Sequence, residues 1–152
     1  MWNKDKSLIL SRILTTVGAV LTLFVMVYIP TVAEWYESFI EGYGLIEGSI
    51  MTPMSLCMYF TGVMIIVVTI LLYKLLTNIK NDRVFVKENT ACLRGISWAF
   101  MGMGLALGIF TLWRYVFVAF AFAAVFIGLV MRVLKNVFEK AVELKSESDY
   151  TI

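Results

Sequence analysis

The sequence predicts an all-α membrane protein in which four transmembrane helices form an up-down bundle with both termini in the cytoplasm. Hydrophobic residues make up 61% of the 152-residue chain and charged residues only 16%, whereas soluble domains carry about 25% charged residues. Four uncharged runs approach the roughly 20 apolar residues that a membrane-spanning helix needs. Every Lys and Arg except Arg114 falls on one side of these runs.

The predicted spans account for the whole chain, residues 1–152, as a single domain. We expect the first span to be retained rather than cleaved as a signal peptide, because its apolar run from Ile13 to Ile29 is longer than the apolar region of such a peptide. The spans are residues 8–29, 54–76, 93–112 and 116–131, with an outer loop at 30–53, an inner basic loop at 74–94 and a cytoplasmic C-terminal helix at 132–152.

The inner basic loop determines the predicted orientation. It carries five Lys and Arg residues against Asp82 and Glu88, and positive charge close to membrane spans lies on the cytoplasmic side. We therefore place this loop and both termini in the cytoplasm and the chain in the membrane as a multi-pass protein. Its net charge of +2 is too small to indicate direct nucleic-acid binding.

Acidic and aromatic residues fill the first half of the outer loop. Glu34, Glu37 and Glu41 are spaced so that a helix would place them on one face. One interpretation is an interfacial helix with its acids in water, and the other is a carboxylate cluster that binds a cation or a basic peptide. Arg114, in the second outer turn, either extends to the headgroups or pairs with one of these acids. Together the four residues are the candidate outer ligand or peptide face.

The third span is predicted to begin with Asn89 as its N-cap and Thr90 as its first helical residue. Small residues within the third and fourth spans favour close helix contact. The partner of the third span is either the fourth span or a second copy of the chain, which would form a homo-oligomer. The predicted packing residues are Gly102, Gly104, Gly108 and Gly128.

The C-terminal helix has an apolar face of Val133, Val137 and Ala141. Four arrangements are compatible with this pattern. The helix is a solvated extension of the fourth span, or it lies on the inner leaflet, or it folds back on the basic loop, or it receives a soluble partner. The sequence pattern leaves these alternatives open.

The sequence offers no candidate catalytic, cofactor-binding or metal-ligating residues. It contains no histidine, which is the commonest metal ligand. Cys57 and Cys92 lack a metal-binding spacing, and we expect both to be free thiols. No acidic or basic residue lies in the middle of a predicted span, as proton-coupled transport normally requires. We therefore expect no enzyme activity, no metal and no cofactor.

Two segments resemble a known family. VFVKENTACLRGISW at residues 84–98 and ELKSESDYTI at the C-terminus are similar to the F-x-x-x-N-x-x-x-L-R-x-I loop and the E-x-D-x-T-I tail of the bacterial DUF2975 family, the YoaS-like four-span membrane proteins. Ser148 and Tyr150 stand where the family has Asn or Gln and Leu. The matching positions are Phe85, Asn89, Leu93, Arg94 and Ile96 in the loop and Glu147, Asp149, Thr151 and Ile152 in the tail.

Members of that family are typically encoded beside a small helix-turn-helix repressor, so the resemblance implies the membrane component of a two-protein regulatory unit. We therefore expect an integral protein of the lipid bilayer, in the plasma membrane of a bacterial cell, with a regulatory or sensing role and a cytosolic helix-turn-helix partner. One alternative is a small oligomeric channel or exporter packed through Gly104 and Gly108, and another is immunity to an antimicrobial peptide through the outer acids. The candidate cytoplasmic partner surface is Arg83, Phe85, Asn89, Arg94, Glu147 and Asp149.

Overall fold

The computed structural model describes the backbone of residues 4–150 and the side chains of residues 6–148 and 150. This part of the chain contains five α-helices and no strand. Four of these helices are long and apolar enough to cross a membrane, which confirms the predicted all-α class. The helices are α1 (Lys4–Val27), α2 (Ile29–Phe39), α3 (Met51–Lys80), α4 (Lys87–Phe110) and α5 (Phe117–Tyr150).

Several helices extend beyond the predicted spans. α3 contains 30 residues and α5 contains 34, which correspond to about 45 Å and 51 Å at the helical rise. The hydrocarbon core of a bilayer is only about 30 Å thick, so both helices continue past it. α4 begins at Lys87 rather than at residue 93. The connection between α3 and α4 therefore shrinks from the predicted 74–94 to residues 81–86.

α2 forms the first part of the predicted outer loop. It follows α1 after a single residue, Tyr28, and has Pro30 in its first turn. Proline is favourable there because the first backbone N–H groups of a helix have no partner within the helix. Ile29 and Ala33 are its buried residues, so one side of α2 packs onto the bundle.

The membrane-crossing helices lie in a row in the order α1, α3, α4 and α5. α4 is the central helix and packs on both α3 and α5. Among the described residues, α1 contacts α3 and, near its end, α2, but neither α4 nor α5. Leu14, Val20 and Phe24 of α1 are more than half exposed, and lipid provides no hydrophobic force that would bring them against another helix. The bundle is therefore open between α1 and α5.

Small residues allow α4 and α5 to approach closely. A Cβ atom on Gly104 would overlap the side chain of Val125 and lie 3.2 Å from the carbonyl oxygen of Ala121. The hydroxyl of Ser97 donates a hydrogen bond of 2.8 Å to the carbonyl oxygen of Gly128. Gly104 and Gly128 therefore pack between the third and fourth spans, and Ser97 adds a buried hydrogen bond that the sequence pattern does not predict.

The other two predicted packing glycines have different surroundings. A Cβ atom on Gly102 would meet the ring of Phe60 from α3 at 3.7 Å, an ordinary contact. A Cβ atom on Gly108 would have no neighbour within 4 Å. The channel hypothesis uses Gly104 and Gly108 as contacts with a second copy of the chain. Gly104 already packs on α5, so within the described residues Gly108 is the one of the two that is open to such a contact.

An apolar cluster joins α2, α3 and α4 at one end of the bundle. Ala33, Ile50, Met54 and Phe110 are each at most 5% exposed. Phe117 at the start of α5 packs edge-on against Phe110, with ring centroids 4.7 Å apart, a geometry that aromatic pairs prefer. This cluster fixes α2 to the ends of the membrane-crossing helices.

We predict that Gly104→Ala lowers the thermal stability of the protein and that Gly108→Ala does not. The methyl group added at position 104 meets Val125, and overpacking of this kind costs about 1–3 kcal/mol. At position 108 the methyl group meets open space and improves helix propensity. The measurement is the unfolding midpoint in detergent, followed by near-ultraviolet circular dichroism. Equal midpoints for the two variants would contradict the described packing of Gly104.

Candidate functional site

Charged side chains concentrate at the two ends of the bundle. The part of the bundle formed by α2, residues 40–50 and residues 111–116 is called the acidic end. The part formed by residues 81–86, the first turns of α4, and α5 from Arg132 onward is called the basic end. The candidate outer ligand face belongs to the acidic end, and the candidate partner surface belongs to the basic end.

α3 ends in a Schellman motif at the basic end. Asp82 has a φ angle of 56°, in the left-handed region that Asp and Asn tolerate better than most residues. The N–H of Asp82 donates to the carbonyl of Ile79 at 3.2 Å, and the N–H of Arg83 donates to the carbonyl of Asn78 at 2.9 Å. These are the two hydrogen bonds of the motif, and they turn the chain sharply toward α4.

Asn89 holds the connection between α3 and α4 in place. Its side chain is fully buried, donates to the carbonyl oxygens of Arg83 and Val84 at 2.8 and 2.7 Å, and accepts a hydrogen bond of 2.7 Å from Asn78. The prediction that Asn89 caps α4 is wrong, because the helix already begins at Lys87 and has no side-chain cap. The side-chain amide lies inside the first turn of α4 and hydrogen-bonds to carbonyl groups of the loop instead of to N–H groups of the helix.

α5 continues past the basic loop and packs beside it. The rings of Phe85 and Phe138 have centroids 5.9 Å apart, and a guanidinium nitrogen of Arg94 lies 3.6 Å from the carboxylate of Glu139. The hydrogen bond from Lys135 lowers the pKa of the Glu139 carboxyl below its ordinary value, and the charge of Arg94 acts in the same direction. The C-terminal helix therefore contacts the basic loop by direct continuation of α5, without folding back.

A groove of about 370 Å³ lies between the start of α4 and the extension of α5. We call it the basic-end groove. Cations from α4 and carboxylates from α5 face it, and small and apolar side chains lie between them. Its lining residues are Lys87, Thr90, Ala91, Arg94, Glu139, Val142, Glu143 and Ser146.

Of the described members of the predicted partner surface, Arg94 alone lines the basic-end groove. Arg83 lies in the loop, 3.8 Å from Glu88, whereas Asn89 is buried and Phe85 packs on α5. Glu147 is exposed on α5 near the groove. The side chain of Asp149 and the tail residues Thr151 and Ile152 lie outside the described residues.

The α5 side of the groove consists of residues that the sequence analysis did not propose as a site. Glu139, Glu143 and Ser146 are spaced by four and three residues, so they share one helix face. That spacing was available in the sequence. It did not single out this face from the rest of α5, because a charged helical face is more often simply solvated.

The three outer acids do not form a common face. α2 ends at Phe39, and Glu41 lies in the extended chain beyond it, just before Gly42. Glu37 accepts a hydrogen bond of 3.0 Å from the N–H of Ile50, where a negative charge is favourable at the N-terminus of α3. Among the described residues, no group of three or more His, Cys, Asp or Glu side chains could hold a metal ion. The predicted three-carboxylate face is wrong because the helix stops before its third member.

Arg114 contacts backbone rather than carboxylates. Its guanidinium donates hydrogen bonds to the carbonyl oxygens of Gly42 at 2.9 Å and Trp113 at 3.1 Å. Within the part of the chain that the structure describes, no carboxylate lies within 4.0 Å of it. The alternative that Arg114 pairs with an outer acid is therefore not found.

The chain after α2 and the turn between α4 and α5 are joined through their backbones. The N–H of Tyr115 donates to the carbonyl of Tyr43 at 3.0 Å. Gly44 lies so close to the carbonyl group of Trp113 that a side chain would not fit. Gly44 thus allows the chain after α2 to lie directly against the backbone of Trp113, which the sequence does not reveal. Arg114 is held at the same junction.

A sequence model of a protein family, described as "Protein of unknown function (DUF2975)", matches residues 7–152. The match covers nearly the whole chain, including both segments that resemble the family, and confirms the resemblance. No curated protein and no solved structure matches the chain.

We predict that Asn89→Ala accelerates tryptic cleavage at the basic loop and that Asn81→Ala does not. The first change removes the hydrogen bonds to the loop carbonyls of Arg83 and Val84, and each buried polar group left unpaired costs about 1–3 kcal/mol. Asn81 is exposed at the end of α3 and serves as the matched control. The measurement is the rate of cleavage after Arg83. Identical rates for both variants would show that Asn89 does not hold the loop.

Proposed function

The chain belongs to the DUF2975 family of proteins of unknown function, and on that premise we propose that it is a non-enzymatic regulatory protein of the bacterial plasma membrane. Its basic end faces the cytoplasm and binds a cytosolic helix-turn-helix regulator. Retention or release of that regulator is the output of the membrane protein.

The basic-end groove is the observation that carries this proposal. It is formed jointly by α4 and α5, so its shape depends on how these two membrane helices lie against each other. A ligand or a change in the bilayer that favours one arrangement of the helices would shift the population of binding-competent grooves. This is the physical requirement for a membrane protein that signals to a soluble partner.

The charges of the groove suit a protein partner. Lys87 and Arg94 on α4 face Glu139 and Glu143 on α5, and charges of both signs give orientation and specificity to protein interfaces. The carboxylates would repel a phosphate backbone, so direct nucleic-acid binding is not part of the proposal. Val142 between the charges offers apolar contact area.

The distribution of positive charge supports a cytoplasmic basic end. The Lys and Arg residues of the loop, of α4 and of the α5 extension all lie there, whereas Arg114 is the one such residue in the predicted outer segments. An excess of Lys and Arg in short loops is typical of the cytoplasmic side. A cytosolic regulator would therefore meet the groove directly.

The state of the groove carboxylates supports binding rather than catalysis. Glu139 is paired with Arg94 and Lys135, and Glu143 is paired with Lys140. The hydrogen bond from Lys135 lowers the pKa of the Glu139 carboxyl, which makes this carboxylate a weaker proton acceptor at neutral pH. The sequence also contains no histidine that could act as a general base.

Co-purification from membranes with a co-expressed candidate helix-turn-helix regulator tests the proposal. Glu143→Lys reverses one charge of the groove and should weaken binding about tenfold, which corresponds to ~1.4 kcal/mol. Glu47→Lys makes the same change at an exposed carboxylate of the acidic end and should bind like the parent protein.

Loss of folding is not expected for Glu143→Lys. The ion pair between Glu143 and Lys140 is exposed, and such pairs contribute at most about 1 kcal/mol. If the unaltered chain fails to retain the regulator, or if both variants bind it equally, the basic-end groove is not the binding site.

A further inference from the structure

A cavity of about 740 Å³ lies between α3, α4 and α5 next to the acidic end. In the described chain α3 and α5 do not contact each other, so α4 forms the floor of a groove and the other two helices form its walls. We call it the membrane groove. Its lining includes Thr61 and Ile65 from α3, Phe100 and Leu107 from α4, and Phe120 and Ala124 from α5.

The membrane groove has the size and chemistry of a site for a hydrocarbon chain. Its volume falls in the range of about 300–1,000 Å³ that is usual for ligand sites. The hydroxyl of Thr61 bonds to carbonyl oxygens of its own helix, and most of the other lining side chains are apolar. Phe100 and Leu107 lie about 10 Å apart along α4. Since the groove lies between membrane-crossing helices and is open on one side, lipid chains have access to it.

Two opposite charges lie at the mouth of the membrane groove. Both Arg114 and Glu41 contribute to its lining. The guanidinium of Arg114 donates through one terminal nitrogen to two neutral carbonyl groups, and within the described residues no carboxylate offsets its positive charge. Within the described residues Glu41 makes no hydrogen bond and no ion pair. One cation and one anion are therefore available to a ligand.

We infer that the membrane groove binds a phospholipid whose headgroup carries both a phosphate and a primary amine. An acyl chain lies along the floor formed by α4, the phosphate accepts hydrogen bonds from Arg114, and the ammonium group donates to Glu41. Hydrogen bonds between charged groups are roughly twice as strong as neutral ones.

Glu41 decides the class of headgroup. A purely anionic headgroup would place its negative charge beside the Glu41 carboxylate, and like charges disfavour each other. A quaternary ammonium group has no N–H with which to donate to Glu41. Phosphatidylethanolamine carries the phosphate, the primary amine and the acyl chains that this geometry requires.

This inference does not depend on the proposed function. The membrane groove and the basic-end groove share no lining residue, and the variants used to test one leave the other intact. Failure of lipid binding and failure of regulator binding are therefore distinguishable.

Native mass spectrometry of the full chain in detergent tests the headgroup assignment. The protein is titrated with phosphatidylethanolamine, phosphatidylglycerol and phosphatidylcholine that carry identical acyl chains, and we expect phosphatidylethanolamine to bind most tightly. Glu41→Gln should weaken the binding of phosphatidylethanolamine about fivefold and should leave the binding of phosphatidylglycerol no weaker. Glu34→Gln, at an exposed carboxylate on α2, is the control and should change nothing. Equal affinities for the three lipids, or tighter binding of either other lipid, would overturn the assignment.

A change that fills the groove tests its location. Ile65 lines the groove and is 40% exposed, so Ile65→Trp should reduce phosphatidylethanolamine binding about tenfold by occupying the space of the acyl chain. Ile70→Trp is the matched control, because Ile70 is on the same helix, is 63% exposed and does not line the groove. If the two variants bind the lipid equally, it belongs to the general lipid layer around the protein and the site is refuted.

Discussion

The close packing of α4 against α5 is the contact on which the rest of the molecule depends. In lipid, helices gain little from hydrophobic burial, so their association rests on van der Waals contact and hydrogen bonds. Gly104 and Gly128 provide the close approach and Ser97 provides a buried hydrogen bond. α4 is the floor of the membrane groove and one side of the basic-end groove, and α5 contributes a wall to each. A shift of α5 along α4 would therefore change both grooves together.

The loop segment that resembles the DUF2975 pattern is mainly structural in this chain. Asn89 fixes the connection between α3 and α4, and Leu93 and Ile96 are buried in the bundle. Phe85 and Arg94 contact the extension of α5. The motif thus sets the position of α5 beyond the membrane, and the surface that a partner would meet lies beside the motif rather than on most of its residues.

Patterns along the chain predicted the fold class and two of the four proposed packing glycines, Gly104 and Gly128, because composition, apolar runs and small-residue spacing are properties of single helices. Predictions failed where contacts between separate helices and loops determine the position of a side chain. Asn89 is a residue type that caps helices, yet loop carbonyls engage its amide. Glu41 has helical spacing from Glu37, yet the chain leaves the helix before it. The membrane groove arises because α3 and α5 are kept apart by α4, and no pattern within one helix contains that information.

The distance between spin labels on Glu88, in the first turn of α4, and Leu144, on the extension of α5, tests this packing most directly. Both side chains are exposed, and the labels would be placed in a background with Cys57 and Cys92 replaced by alanine. Because α5 is unbroken from Phe117 to Tyr150 and contacts α4 and the basic loop, we expect one narrow distribution of distances. A broad distribution without discrete peaks would show that the extension of α5 moves independently of α4, and would contradict a packed helix pair that carries both grooves.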